Sequence, residues 1–501
     1  MLYLLLCAAA SVLRMLAAYV LSVLLALVFG VAMARSRSVE RFLLPILDIL
    51  QSIPILGFFP AALAFFVTVL PAGIGVEAAA VFLIITSQLW NLIFGVYSSV
   101  KSLDPMLFDM SKVYRMGRAT VFFYLCVPAS RNSLVANSLI SWAGGWFFLT
   151  SSEIITMGAA EHRLLGLGTF IMEAFERGDS YGFYLGVASL LTVILATYIL
   201  VWNPAGETIL ERELISLRPV YSTIESSVGS LWSTLGNLMI KAEARIRLPS
   251  FAGKAIVIAV LTSIAYFLVG GLKQLPSFDI ESVYGSLLEV AYELPLSLAR
   301  VSTIVAFSVF LSLAATYASY ARKGIMLVVL LVGEVLASIP AVVWWPLLAS
   351  IALGSPLGPY MVATVVMLQG SLWYLYFNLI VYGLAGLRKD LEEMSRVYRI
   401  RGLWYLRSVF IPSLLPSLAS GALSAWGGAW NSTVAAEYVS FGERVIDIGG
   451  VGAVLNRKAA KGDALGVAMS ALLLSLVITV FNKALWKRFF EFIERRYGGG
   501  E

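Results

Sequence analysis

The chain has 501 residues, 59% of them hydrophobic and 13% charged, with a formal net charge of +6 and a mean hydropathy of +0.86. A soluble domain carries about 25% charged residues, so this chain has too little charge to cover a water-facing surface of its size. Two cysteines in apolar context, Cys7 and Cys126, and the single histidine His162 argue against a disulfide framework, a metal cluster and a histidine-based metal site.

Residues 1–10 are apolar but lack a basic leader, so no cleaved signal is expected. Five spans follow at about 15–33, 42–70, 78–96, 133–155 and 184–201. The second carries Pro45, Pro54 and Pro60 and is expected to be kinked or broken. Residues 203–250 mix acids with bases and read as a cytoplasmic linker, with a partial amphipathic helix near 221–246. A joining span at about 255–272 leads to five more, at about 301–319, 325–353, 360–382, 413–439 and 465–485.

The second set repeats the first. Ser111-Lys112-Val113-Tyr114-Arg115 recurs as Ser395-Arg396-Val397-Tyr398-Arg399. Trp142-Ala143-Gly144-Gly145-Trp146 matches Trp426-Gly427-Gly428-Ala429-Trp430, and Glu153 matches Glu437. From Ser111 to Gly158 the offset stays at 284 residues, the mark of a tandem duplication. Bases cluster after the first span, in the loops 99–130 and 385–412, and at the C-terminus, which places these segments in the cytoplasm. Two five-span halves of one orientation need an extra crossing between them, and 255–272 supplies it. By the same count, residues 1–10 are either a remnant of the crossing that precedes half two, or the start lies upstream.

The sequence holds no Gly-x-x-x-x-Gly-Lys-Ser/Thr loop for a nucleotide, no Gly-x-Ser-x-Gly elbow and no zinc-spaced pair, so catalysis is not expected. The two long cytoplasmic loops carry the most information. Each starts with acids (Asp104 and Asp109; Asp390, Glu392 and Glu393). Each continues through Ser-x-Val-Tyr-Arg to Gly117 or Gly402, and ends in a proline that opens the next span. Alternating charge suits a short surface helix that docks on a soluble partner, and the glycine would let the chain turn between two such helices. Simple basic connectors are the bland alternative.

These loops resemble the EAA loops of ABC importer permeases. Together with the runs Trp142–Glu153 and Trp426–Tyr438, they are similar to the duplicated permeases of nitrate, sulfonate and bicarbonate importers. The resemblance covers nearly the whole chain. It departs from the generic loop in starting Ser-Lys-Val or Ser-Arg-Val rather than Glu-Ala-Ala, and in a shorter spacing from glycine to proline. It implies an all-α polytopic bundle, a tandem parallel repeat of a type I importer transmembrane domain with about 11 transmembrane helices. The expected domains are residues 1–202, a linker at 203–252, and a joining helix with the second permease domain at 253–501. The implied function is passage of a small solute, expected to be an anion, across the cell membrane. The implied partners are two copies of a separate ATPase subunit and an extracytoplasmic binding protein, with no cofactor, metal or nucleic acid. On this resemblance Asp109, Ser111, Tyr114, Arg115, Gly117, Ser395, Tyr398, Arg399 and Gly402 form the ATPase-coupling loops.

Translocation-pathway candidates are Trp146, Glu153, Trp430, Asn431 and Glu437. An acid in lipid faces a cavity or a partner, so Glu153 and Glu437 either line a path or satisfy a neighbouring polar group. Asp48 and Glu334, at matching positions, carry the same two readings. The glycine-flanked tryptophans either pack helices together or line the pore. The competing functional reading is a repeat-built secondary transporter driven by an ion gradient.

Overall fold

The structure is a computed structural model. It describes residues 2–52, 62–63, 65–67, 69–157, 160–202, 229–230, 232–234, 236–241, 262, 280–322, 325–339, 344–384, 387, 389–441, 444–481, 484 and 488–489. The joining span expected at 255–272 falls almost wholly outside these, as does most of the linker.

Half one begins with α1 (Leu2–Arg35) and α2 (Arg37–Ser52), then α3 (Ala72–Lys101). A short α4 (Pro105–Val113) leads through α5 (Arg118–Val121) and a π-helical turn (Phe122–Cys126) into α6 (Val127–Glu153). A hairpin of β1 (Ile154–Met157) and β2 (Ala160–Arg163), then α7 (Leu167–Glu176) and α8 (Ser180–Thr197), complete the half. Half two repeats this order. It runs α9 (Ile280–Ala321), α10 (Ile325–Ser338), α11 (Trp345–Gly354), α12 (Gly358–Phe377), α13 (Lys389–Val397) and α14 (Gly402–Tyr405). A π-turn at the matching position (Leu406–Phe410), α15 (Ile411–Glu437), β3 (Tyr438–Phe441), β4 (Arg444–Asp447), α16 (Val451–Ala460) and α17 (Ala464–Phe481) follow.

Among the described residues, six helices are long and apolar enough to cross a membrane, and two shorter apolar helices accompany them. The chain is a multi-pass membrane protein. Nothing between Leu2 and Phe29 breaks a helix, so α1 is continuous for 34 residues. That is roughly 50 Å, well beyond a hydrocarbon core of about 30 Å. Residues 2–10 are therefore the first turns of the first span, not the remnant of a separate crossing. Pro45 sits inside α2 without ending it. In half two the corresponding span contains two described helices, α10 ending at Ser338 and α11 beginning at Trp345.

Within half one, α1 packs on α3 and α3 on α6; within half two, α9 packs on α12 and α12 on α15. Between halves, α2 lies against α17 and α10 against α8. These are one contact seen twice, the second span of one half against the last span of the other. Exchange of the halves maps the first contact onto the second, as parallel repeats around a common axis require. α6 also packs on α10, where Ala143 meets Met326, Leu330 and Ala337.

Two elements depart from the sequence reading. The fourth spans were expected to run as helix to 155 and 439, but α6 and α15 end at Glu153 and Glu437 and turn into antiparallel hairpins. β-branched and aromatic residues follow each glutamate, and they favour extended backbone. The reason the helices stop there lies in the side chains of those two glutamates.

Candidate functional site

The basic loops and the hairpins lie at opposite ends of the bundle, since α1 reaches Glu153 with Ser11 and Arg14 and reaches Phe108 of α4 with Arg35. At the basic end, Asp104 caps α4 by accepting from the Met106 N–H at 2.8 Å. Asp109 pairs with Lys112 on the exposed face of the helix. α4 then closes with the Met116 N–H donating to the Ser111 carbonyl (2.8 Å) and the Arg115 N–H to the Lys112 carbonyl (3.0 Å). α13 closes identically, Ile400 to Ser395 (2.8 Å) and Arg399 to Arg396 (3.2 Å). This double bond pattern ends a helix on a left-handed residue, a place glycine usually fills. Here it is filled by arginine, with φ of +50° at Arg115 and +52° at Arg399.

The turn is thus made by the arginines. Gly117, expected to provide it, has φ of −65° and merely caps α5. Its repeat counterpart Arg401 caps α14 in an extended conformation, and Gly402 after it has φ of +60°. Ser111 and Ser395 are buried under the turn, where each hydroxyl donates to the backbone carbonyl three residues earlier. Tyr114 and Tyr398 are 73% and 71% exposed, and the valines before them are more exposed still. Arg115 and Arg399 are exposed beside them. Each loop therefore presents a valine, a tyrosine and an arginine outward on a strained turn. A left-handed non-glycine residue costs about 1 kcal/mol or more, and such cost concentrates where function requires the side chain.

Loop and bundle are tied together in half one. The Arg35 guanidinium stands 3.8 Å over the Phe108 ring of α4. Glu40 of α2 accepts from Lys101 and Tyr97 of α3, both at 2.6 Å, and these bonds, that from Lys101 foremost, hold its carboxyl below the usual carboxylate range. In half two the tyrosine hydroxyls of Tyr320 and Tyr405 meet at 2.8 Å.

At the opposite end, Glu153 and Glu437 occupy matching closed clusters, both fully buried. Glu153 accepts from Ser11 Oγ (2.5 Å), Arg14 Nη1 (2.6 Å) and the Gly168 N–H (2.7 Å). Ser11 Oγ in turn accepts from the Leu167 N–H at 2.9 Å. Glu437 accepts from Ser297 Oγ (2.7 Å), Arg300 Nη1 (2.9 Å) and the Gly452 N–H (2.8 Å), and Ser297 Oγ from the Val451 N–H (2.8 Å). Each glutamate thus ends its own helix and caps the N-terminus of the next, α7 or α16, where free amides and the helix dipole favour a carboxylate. Gly166 and Gly450 are required beside it, since a Cβ at either would overlap the carboxylate. Arg14 forks onto Glu77 as well (2.8 Å to each oxygen), whereas Arg300 turns to the Gly449 and Ile448 carbonyls.

Sequence reasoning picked out the two glutamates and missed the arginines. Their signal was Ser-x-x-Arg at 11–14 and again at 297–300, hidden by an offset of 286 rather than 284. Just outside these clusters, Arg163 of β2 pairs with Glu173 (3.8 Å) and Glu176 (2.6 Å) of α7. At the same repeat positions Asp447 of β4 pairs with Arg457 of α16 at 2.7 Å, with the signs exchanged. Burial works against the Arg457 charge, but the hydrogen bond to Asp447 and the nearby Glu289 and Glu293 hold its guanidinium above the ordinary arginine value.

Between the halves lies a cavity of about 60 Å³, room for about two waters. α6 lines it from half one with Gly144 and Phe147, and α12 and α15 from half two with Gln369, Trp373, Asn431 and Ser432. Its lining among the described residues is aromatic, glycine and alanine, amide and hydroxyl, without an ionised side chain. Gln369 Nε2 donates to the Leu336 and Ile339 carbonyls at the C-terminal end of α10. Of the five pathway candidates, only Asn431 faces this cavity. Trp146 and Trp430 are turned into the cores of their own halves, each edge-on to the preceding tryptophan at 6.3 Å. The side chains of Asp48 and Glu334 lie outside the described residues.

Comparison with known proteins agrees with this architecture. The model of the family described as "binding-protein-dependent transport system inner membrane component" matches residues 22–203 and again 305–491. The chain is 24% identical over 196 residues to a nitrate import permease protein of Leptolyngbya laminosa, covering 38% of this chain and 66% of that one. It is 23% identical over 187 residues to a bicarbonate transport system permease protein of Synechocystis sp., covering 36% and 62%. It is 27% identical over 168 residues to a taurine transport system permease protein of Escherichia coli, covering 34% and 56%. The chain thus spans between 56% and 66% of the length of these curated relatives. No solved structure matches.

Proposed function

Because this chain belongs to the family of binding-protein-dependent transport system inner membrane components, matched twice along its length, we propose that it is the permease of an ATP-driven importer with both pore-forming halves in one polypeptide. The observation that carries the reading is the pair of strained loop turns. Arg115 and Arg399 occupy an unfavourable backbone conformation at the same repeat position, at the basic end, each beside an exposed tyrosine. A solvated connector would gain nothing from that. A docking surface for two copies of one ATPase subunit would.

In this mechanism ATP draws the two ATPases together and the loops follow. α4 carries the motion to α1 through Arg35 and Phe108, and the halves rock about the contacts α2–α17 and α8–α10. The cavity lined by Asn431, Ser432 and Gln369 is the closed middle of the path, and an extracytoplasmic binding protein loads it from the hairpin end. The printed names of the relatives mention nitrate, bicarbonate and taurine, which supports a small anion as the solute. The domain plan follows the same reading, with permease domains in 1–202 and 253–501 joined by a cytoplasmic linker at 203–252.

Reconstitution in liposomes tests the proposal. The chain alone should neither hydrolyse ATP nor concentrate nitrate, bicarbonate or taurine. Addition of its ATPase and loaded binding protein should start ATP-dependent uptake. Uptake by the chain alone under an ion gradient would overturn the reading and favour a secondary transporter.

A further inference from the structure

The linker touches the coupling machinery of one half. Its helical residues at 229–230, 232–234 and 236–241 lie within the amphipathic stretch expected near 221–246 and beside the π-turn of half one. The Trp232 ring sits 4.9 Å from that of Phe123, with the planes at 51°. The Tyr124 hydroxyl donates to Asn237 Oδ1 at 3.2 Å. Gly236 passes over Phe123 so closely that a Cβ there would meet its ring at 3.4 Å. Trp232 packs into the same apolar cluster as Leu103, Phe108 of α4 and Phe122.

Among the described residues half two shows no such contact, and it lacks the residues that make it in half one. Where half one has Phe123 and Tyr124, half two has Arg407 and Ser408, both exposed. Its cluster around Phe410 is closed by Tyr320 and Tyr405 of its own half. The repeats thus diverge at the positions the linker covers. A tether needs no such contact, because closing a long flexible loop costs little more than closing a short one. Ordering a helix and seating a tryptophan costs entropy that the contact must offset.

We propose that Trp232 is a positioning residue, which with Gly236 and Asn237 braces the first half's loop at its π-turn, a brace for which the second half, with Arg407 and Ser408 at those positions, lacks the aromatic residues. π-turns are irregular insertions in a helix and are frequent at functional sites. Both loops join their spans through one, at matching positions, Phe122–Cys126 and Leu406–Phe410. Bracing the first and not the second makes the two loops mechanically unequal, although their turn geometry is the same. If the loops dock ATPases, the two docked subunits experience different stiffness. That consequence rests on the functional reading above, while the brace itself does not.

The test uses the full chain in lipid nanodiscs, without ATPase. Amide hydrogen exchange is followed over residues 105–126 and 389–410 in wild type, Trp232→Ala, Trp232→Phe and the double variant Phe123→Arg/Tyr124→Ser, which gives half one the residues of half two. Loss of the brace should speed exchange over 105–126 by about tenfold in Trp232→Ala and in the double variant. Exchange over 389–410 should stay unchanged, and Trp232→Phe should restore most of the protection. Equal acceleration in both loops, or none in either, overturns the proposal. A covalent version guards against misfolding. A Cβ on Gly236 would stand 3.5 Å from Phe123 Cβ, within disulfide range of about 3.5–4.5 Å. Phe123→Cys/Gly236→Cys should crosslink on oxidation and slow exchange over 105–126 alone, reversibly with reductant. Failure to crosslink, or a crosslink without that effect, also rejects the brace. Because no transport is measured, these outcomes are independent of whether the chain is an importer.

Discussion

Arg14 and Glu153, 139 residues apart, form an ion pair of 2.6 Å in which both side chains are closed off from solvent. The pair joins the first helix of half one to the end of the fourth span, and Arg300 and Glu437 do the same in half two. Removing one partner leaves a buried charge, which typically costs about 3–5 kcal/mol. Arg14→Met should therefore lower the thermal midpoint in detergent strongly. Arg14→Met with Glu153→Gln should recover much of the loss, because the amide oxygen still accepts from the Gly168 N–H. Equal destabilisation by the single and double variants would mean that the charge pair is not what holds this corner.

The loop arginines separate stability from function. Arg115→Gly and Arg399→Gly relieve left-handed strain and should leave stability unchanged or raise it by up to about 1 kcal/mol each. ATPase copurification and ATP-driven uptake should fall, most in the double variant. A lysine at each site keeps the charge and the strain and should retain more activity than glycine. Undiminished copurification in the double glycine variant would remove these side chains from the contact.

Asn431 and Trp146 should fail in different ways. Asn431 lines the cavity between the halves, so Asn431→Leu should reduce uptake with little change in melting. Trp146 is fully buried in the core of half one, so Trp146→Ala should cost about 3–5 kcal/mol and lower membrane abundance. If Asn431→Leu transports normally at matched abundance, the path does not pass this cavity.

Orientation is open to chemical labelling. Tyr181, at the start of α8, and Tyr114, at the turn after α4, are both highly exposed at opposite ends of the bundle. In intact cells a membrane-impermeant thiol reagent should label Tyr181→Cys and spare Tyr114→Cys. The reverse pattern would invert the topology drawn from the bases.

Much of this was legible in the sequence because the chain carries two copies of it. The repeat at one register pointed to the loops, the glutamates and the parallel halves. It did not reveal that arginine takes the left-handed position closing each helix, because backbone preference favours the glycine two or three residues on. Arg14 and Arg300 escaped because the register slips by two residues in the first helix of each half. The hairpins escaped because strands of four residues leave too short an alternation to separate from the end of an apolar span. The brace at Trp232 escaped because a polar stretch between spans reads as tether, and only the packing shows which of its aromatics is seated.

The exchange of sign between Arg163–Glu173 and Asp447–Arg457 has a meaning of its own. Coulomb attraction is indifferent to which partner carries which charge. The two halves therefore hold one hairpin-to-helix contact with the charges in opposite order, and each pair fits only within its own half. Chimaeras that splice the hairpin of one half onto the helix of the other would set like charges face to face, Arg163 against Arg457 or Asp447 against Glu173, and should be less stable than either native pairing.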